Sequence, residues 1–133
     1  VEVNNSQPIS TEKKVRDFRE LKVWEKAHCL TLSIYRQTRA FPTEERFGVV
    51  AQIRRAVASI PTNIAEGCGR KGDREFSRFL VIAAGSASET EYLLFLARDL
   101  GYIKEDKYEE LNQAVNEIKR ILNRFIQTLL PNR

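Results

Sequence analysis

Seven apolar residues in the last third of the chain, Tyr108, Leu111, Val115, Ile118, Leu122, Phe125 and Leu129, are separated by alternating steps of three and four. That spacing is a heptad seam on one side of a helix. The intervening Lys107, Glu110, Asn112, Lys119, Asn123 and Arg124 give a solvated face, and the helix is expected from near Glu105 until Pro131 closes the chain. A similar pattern runs from about Lys22 to Ala40. Val23, Ala27, Leu30 and Ile34 make one stripe, and Trp24, His28, Leu32 and Tyr35 a second beside it. Phe41-Pro42-Thr43 ends that helix, with Thr43 expected to cap the next one and Glu44 and Glu45 suited to its N-terminus. Another helix is expected from Glu75 and Phe76 to about Leu100, with Asp73 as its N-cap and Gly101 as its stop. It has two stripes, Phe76, Leu80, Ala83, Ala87, Leu94 and Ala97, and Phe79, Ile82, Ser86, Leu93 and Leu96. So wide an apolar arc needs neighbours on both sides.

The remaining helix, from about Glu45 to Cys68, holds the most unusual segment, Gln52–Gly67. Ile53, Val57, Ile60 and Ile64 form an apolar stripe of helical period, while Gln52, Ser59, Asn63 and Glu66 form a polar stripe beside it. Pro61 lies inside, removing the N–H that would bond the Val57 carbonyl, at a cost of about 3 kcal/mol in a helix interior. The unbroken period favours one kinked helix over two. Gly67 and Gly69 are expected to stop it. With Ser86 and Glu89 of the following helix, the polar stripe is expected to form an internal hydrogen-bond network that fixes register and serves the carbonyl freed by Pro61.

Four helices joined by short loops imply an all-α, antiparallel up-and-down four-helix bundle over residues 17–130, preceded by a flexible arm at residues 1–16. The length of 133 residues fits one domain. Methionine is absent, so Val1 is read as the product of processing or trimming. The longest uncharged runs, Phe79–Ser88 and Ala56–Ala65, have ten residues each. A helical membrane span takes about 20. With no signal-peptide pattern in residues 1–12, no membrane partner and a cytoplasmic location are expected. Cys29 and Cys68 fit no metal spacing, are expected to be buried, and are not expected to pair.

Candidate chemistry is sparse. Glu25 and His28 make a Glu-x-x-His pair, but a carboxylate-bridged di-metal site needs two such pairs and the chain has one histidine. His28 therefore reads as a partly buried packing residue. Glu66, Glu89 and Glu91 lack a second catalytic base or a phosphate-binding loop. No cofactor, metal, catalytic residue or small-molecule substrate is expected. The net charge of +4 is mildly basic. Arg70, Lys71, Arg74 and Arg78 cluster at the turn after the proline helix, and Arg54 and Arg55 lie further along it. These six residues either contact phosphates or form a solvated cap paired with Glu66, Asp73 and Glu75. Phe76 and Phe79 fall in core stripes, so base stacking is not indicated.

The strings from Asp17 to His28, Phe41-Pro42 with Arg46-Phe47-Gly48, Gln52-Ile-Arg-Arg-Ala56, Ser59-Ile-Pro-Thr-Asn-Ile-Ala-Glu-Gly67, Phe79-Leu80 and Asp99-Leu-Gly-Tyr102 together resemble one bacterial family. It is the four helix bundle protein family, encoded in intervening sequences of 23S ribosomal RNA genes. The resemblance spans about residues 17–129 and implies homopentameric rings of bundles without known catalytic activity. A related branch resembles accessory proteins of diversity-generating retroelements, which bind a reverse transcriptase and nucleic acid. Cys68 stands where an aromatic is usual in the family, and the N-terminal arm lies outside its pattern.

Two functions fit these residues. One is a non-enzymatic, oligomeric bundle that binds RNA or a ribonucleoprotein through Arg54, Arg55, Arg70, Lys71, Arg74 and Arg78. The other is a protein-interaction scaffold, of the reverse-transcriptase accessory kind, that makes no contact with nucleic acid.

Overall fold

The computed structural model describes residues 16–130 as four helices. They are α1 (Lys22–Thr38), α2 (Val49–Cys68), α3 (Gly72–Asp99) and α4 (Glu105–Leu129). Short 3-10 turns precede α1 at Phe18–Glu20 and α2 at Thr43–Glu45. Contacts between successive helices run in opposite senses. Arg55 meets Glu89, Ser59 meets Ser86, and Gly67 lies against Phe76 and Phe79, so α2 and α3 are antiparallel. Tyr35 and Thr31 of α1 meet Arg54 and Val57 of α2 in the same manner. The α3–α4 pair does so through Arg98 with Glu105 at one end and Phe76 with Phe125 at the other.

The first apolar stripe expected on each helix forms the core. Ala27, Ile53, Ile60, Ile64, Phe76, Leu80, Leu94, Val115 and Leu122 are fully shielded from solvent. The α4 seam is buried from Tyr108 to Leu122. By length and composition α3 could cross a membrane, which counting uncharged runs did not reveal. Its apolarity is divided between the buried Phe76–Leu80–Ala83–Ala87–Leu94 face and an exposed one.

Local chemistry differs from expectation at several junctions. Thr43 does not cap α2. Glu45 does, accepting the Val49 N–H at 3.1 Å and the Tyr102 hydroxyl at 2.7 Å. Asp73 is not an N-cap either, because α3 begins at Gly72, whose φ of +81° suits a residue without a side chain. Gly67 is not a stop signal. It is buried inside α2, and a β-carbon there would lie 2.8 Å from Cβ of Phe79, so it is the contact point that lets α2 and α3 approach. Gly101 does end α3. Its φ is +83°, and the Tyr102 and Gly101 N–H groups return to the Ala97 and Arg98 carbonyls, both at 2.9 Å.

Residues 1–15 of the expected arm lie outside the described residues. Arg16, the last residue assigned to that arm, is anchored instead. Its N–H reaches the Cys68 carbonyl at 3.2 Å, and its guanidinium pairs with Asp73 at 3.1 Å and covers the Phe76 ring at 4.3 Å. Cys68 is buried, which pushes its thiol pKa up, but Cys29 is exposed. His28 is exposed too, stacked on Trp24 with the rings 4.9 Å apart and 9° from parallel. α1 is narrower in its buried arc than its two stripes implied, because Leu32 and Tyr35 of the second stripe remain in solvent.

Candidate nucleic-acid interface

The turn between α2 and α3 sets Arg70, Lys71, Arg74 and Arg78 at one end of the bundle. Arg70 and Arg78 are held over the Phe79 ring at 4.8 and 5.8 Å, and they pair with Glu66 at 3.0 Å and Glu75 at 3.7 Å. Both pairs are solvent-exposed, and such pairs contribute roughly 0–1 kcal/mol, little enough for a phosphate to displace the carboxylate. Lys71 and Arg74 are exposed and meet no acid among the described residues. With guanidinium groups covering Phe76 and Phe79, neither ring presents a face to a nucleobase.

Arg54 does not belong with this group. Its Nε donates to Thr38 Oγ1 at 2.9 Å, its Nη2 donates to the Tyr35 carbonyl at 3.2 Å, and its guanidinium lies over the Tyr35 ring at 4.6 Å. It therefore satisfies the C-terminal end of α1, where helix carbonyls lack partners of their own. Arg55 lies one residue further round the helix and pairs with Glu89 at 2.8 Å in an exposed position midway along α2. It is apart from the turn cluster.

Folding gathers charge that the sequence scatters. The half of the bundle containing the α2–α3 turn comprises residues 16–29, 59–85 and 118–130. It carries eleven basic and six acidic side chains, whereas the other half carries eight and ten. Arg16, from the start of the chain, joins the turn cluster through Asp73, and Arg124, from near its end, lies in the same basic half. Their distance in sequence hid them.

The expected polar network is smaller than its stripe. Ser86 Oγ donates to Ser59 Oγ at 2.8 Å, and Asn63 Nδ2 donates to the Ser59 hydroxyl and carbonyl, both at 2.9 Å. The fully buried Thr90 extends it by donating to the Ser86 carbonyl at 2.8 Å. Gln52 is exposed and bonds to no side chain among the described residues; Glu66 turns to Arg70, and Glu89 to Arg55. The carbonyl freed by Pro61 is not served by this stripe. Thr31 of α1 reaches the Val57 oxygen at 3.2 Å while also approaching its own Ala27 carbonyl at 2.8 Å.

A second polar cluster, between α3 and α4, was not foreseen. Glu91 accepts from Lys119 at 2.6 Å and from Asn116 at 3.1 Å, and Asn116 also reaches the Asn112 carbonyl. The Lys119 ammonium holds the Glu91 carboxyl below its ordinary pKa. No group of three His, Cys, Asp or Glu side chains able to hold a metal occurs among the described residues, and Glu25 and His28 are both exposed.

A family model described as 23S rRNA-intervening sequence protein matches residues 19–124. The chain belongs to that family. It is also similar to a crystal structure of a protein with unknown function from the S23 ribosomal protein family of Bacteroides thetaiotaomicron. The two are 31% identical with a TM-score of 0.74, over 79% of this chain and 98% of the other. Comparison with curated proteins gave no match. The family match therefore takes in α1, α2, α3 and most of α4, including the turn cluster.

Proposed function

We propose that this 23S rRNA-intervening sequence family member is a non-enzymatic, self-associating bundle whose basic end binds structured RNA through phosphates, in the cytoplasm. The observation that carries this reading is the concentration around the α2–α3 turn of cations that are weakly paired or meet no acid among the described residues, with Lys71 and Arg74 at its centre. Arg16 is a secondary contact, Arg55 lies outside this end of the bundle, and Arg54 is left out because its Nε and Nη2 are engaged with Thr38 and Tyr35 at the end of α1. The covered Phe76 and Phe79 rings favour duplex or compact RNA over single strands, because phosphate contacts do not require unstacked bases.

Four phosphate contacts correspond to a log–log salt slope near −3 to −4, so affinity should fall about a hundredfold between about 50 and 200 mM salt. Titration of an RNA hairpin against the wild type and the Arg70→Ala/Lys71→Ala/Arg74→Ala/Arg78→Ala variant measures that slope. No binding at about 50 mM salt, or equal affinity of the two proteins, refutes the RNA reading.

Self-association has its own support. Val81, Ile82, Tyr92 and Phe95 are large apolar side chains left exposed along α3, and apolar surface gathered on one helix is the kind that a partner covers. Between them along the helix, Gly85 has nothing of its own chain within 4 Å of where a β-carbon would be. A glycine in a helix interior costs about 1 kcal/mol against alanine. Close approach of another molecule accounts for it. The pentamer expected from the family resemblance is the assembly tested by light scattering. A bundle that assembles but binds no RNA is the protein-interaction scaffold.

A further inference from the structure

Phe47 is the most exposed large apolar residue of the described chain, at 87%. It is also firmly presented. Just before it, the Glu45 carboxylate ties the loop to Tyr102 and to the first N–H of α2, and Phe41 packs against the Tyr102 ring at 5.3 Å. The Arg46 guanidinium lies 5.4 Å from the Phe47 ring. An aromatic side chain held in water on a braced loop has the character of a binding anchor. Its half of the bundle carries more acid than base, which disfavours a nucleic acid there.

The same chain carries a receptor of suitable chemistry. α1 and α4 are the most loosely packed pair of neighbouring helices, and between them lies an open groove of about 460 Å³. Small side chains, Cys29, Ser33 and Ala114, keep it open over a floor that includes Leu30, Leu111 and Ile118. On its rim, Lys22 and Glu25 pair with no charge among the described residues, and neither do Glu44 and Arg46 on the loop. Lys26 and Glu117 on the same rim already pair with each other at 3.3 Å, which leaves Glu25 as the counterpart of Arg46 and Lys22 as that of Glu44.

We propose that Phe47 of one copy inserts into the α1–α4 groove of a neighbouring copy. Anchor and groove are different surfaces, so the contact is head-to-tail and each chain both gives and receives, which leads to a ring where the rotation closes. This inference rests on the self-association proposed above and adds to the exposed α3 surface a second, separate contact.

Cys29 in the groove is an exposed reporter, and Cys68 is buried. The full-length Phe47→Cys variant is treated with a mild oxidant and run without reducing agent, beside the wild type and Phe47→Cys/Cys29→Ser. The proposal expects a ladder of disulfide-linked multimers, mapped by mass spectrometry to residues 47 and 29, that is lost with Cys29→Ser. Wild type, with one accessible thiol, should stop at a dimer. In parallel, Phe47→Asp should weaken association at least about tenfold by light scattering. Its near-complete exposure leaves the monomer fold unaffected, which circular dichroism checks. An assembly unchanged by Phe47→Asp, with no 47–29 link, overturns this contact and leaves self-association standing. A wild type that is monomeric at all concentrations overturns both. Loss of RNA binding with assembly intact assigns Phe47 to a base and overturns the proposal.

Discussion

Replacing Thr31 by valine should destabilise the bundle through a carbonyl on a different helix. Pro61 has no N–H, so the Val57 oxygen has no intrahelical donor, and Val57 is fully buried. The Thr31 hydroxyl, at 3.2 Å, is the side-chain donor that reaches it. The Ala27 carbonyl, which Thr31 also approaches, retains its ordinary partner within α1, so the loss falls on Val57. A buried carbonyl left unsatisfied costs about 1–3 kcal/mol, and valine preserves the shape. For a domain of this size that lowers Tm by roughly 3–6 °C per kcal/mol. The decisive assay is a double-mutant cycle with Pro61→Ala, which restores an N–H to the same carbonyl. Urea unfolding at fixed protein concentration, followed by circular dichroism, should show Thr31→Val costing at least about 1 kcal/mol less in the Pro61→Ala background. Pro61→Ala alone has no clear sign, because removing the helix penalty is offset by lost packing of a buried ring. A coupling below about 0.3 kcal/mol would show that the Thr31 proton stays on Ala27 and that the proline is accommodated in another way.

The two interior glycines of α2 and α3 should respond oppositely. Gly67→Ala forces a β-carbon against Phe79 and Phe76 and should cost about 1–3 kcal/mol in thermal or urea unfolding, whereas Gly85→Ala should stabilise the monomer by up to about 1 kcal/mol and weaken its assembly in light scattering. Acid should loosen both polar latches. The Tyr102 hydroxyl and the Val49 N–H hold Glu45 below its ordinary pKa, as Lys119 does Glu91. Lowered carboxyl pKa values contribute stability above the ordinary carboxylate range of about 4.5, and that stability is lost as pH falls through the folded-state values. Denaturant midpoints between pH 7 and 3 should therefore fall more steeply for the wild type than for Glu91→Gln; parallel curves would exclude this linkage.

Helix existence and core membership were legible because they depend on a local period. The 3-4 spacing of Tyr108 to Leu129 is itself the geometry of one helix face, and every residue of that seam up to Leu122 is buried. The heptad pattern needs no knowledge of what it packs against. Junction chemistry was read less well. Thr43 and Asp73 have the right side chains for capping, but capping depends on backbone direction, and α2 instead recruits Glu45, which Tyr102 of a distant loop holds in place. The basic cluster was visible as far as it was contiguous, from Arg70 to Arg78. Its extension to Arg16 needed the fold, and so did the removal of Arg54.

An all-α chain with four amphipathic helices, their approximate limits and their inward faces are all contained in the order of its residues. Backbone hydrogen bonding and apolar burial act over three or four residues, and that information is written locally. Which polar groups meet depends on how the helices pack. Thr31 serves Val57, Arg54 closes the end of α1, Gly67 admits Phe79, and Phe47 is left in water. Each depends on how one helix is rotated and shifted against another, and no periodicity within a single helix records that. The surplus of apolar surface on α1 and α3 was legible as an excess, but which side chains stayed exposed was settled only when the bundle closed.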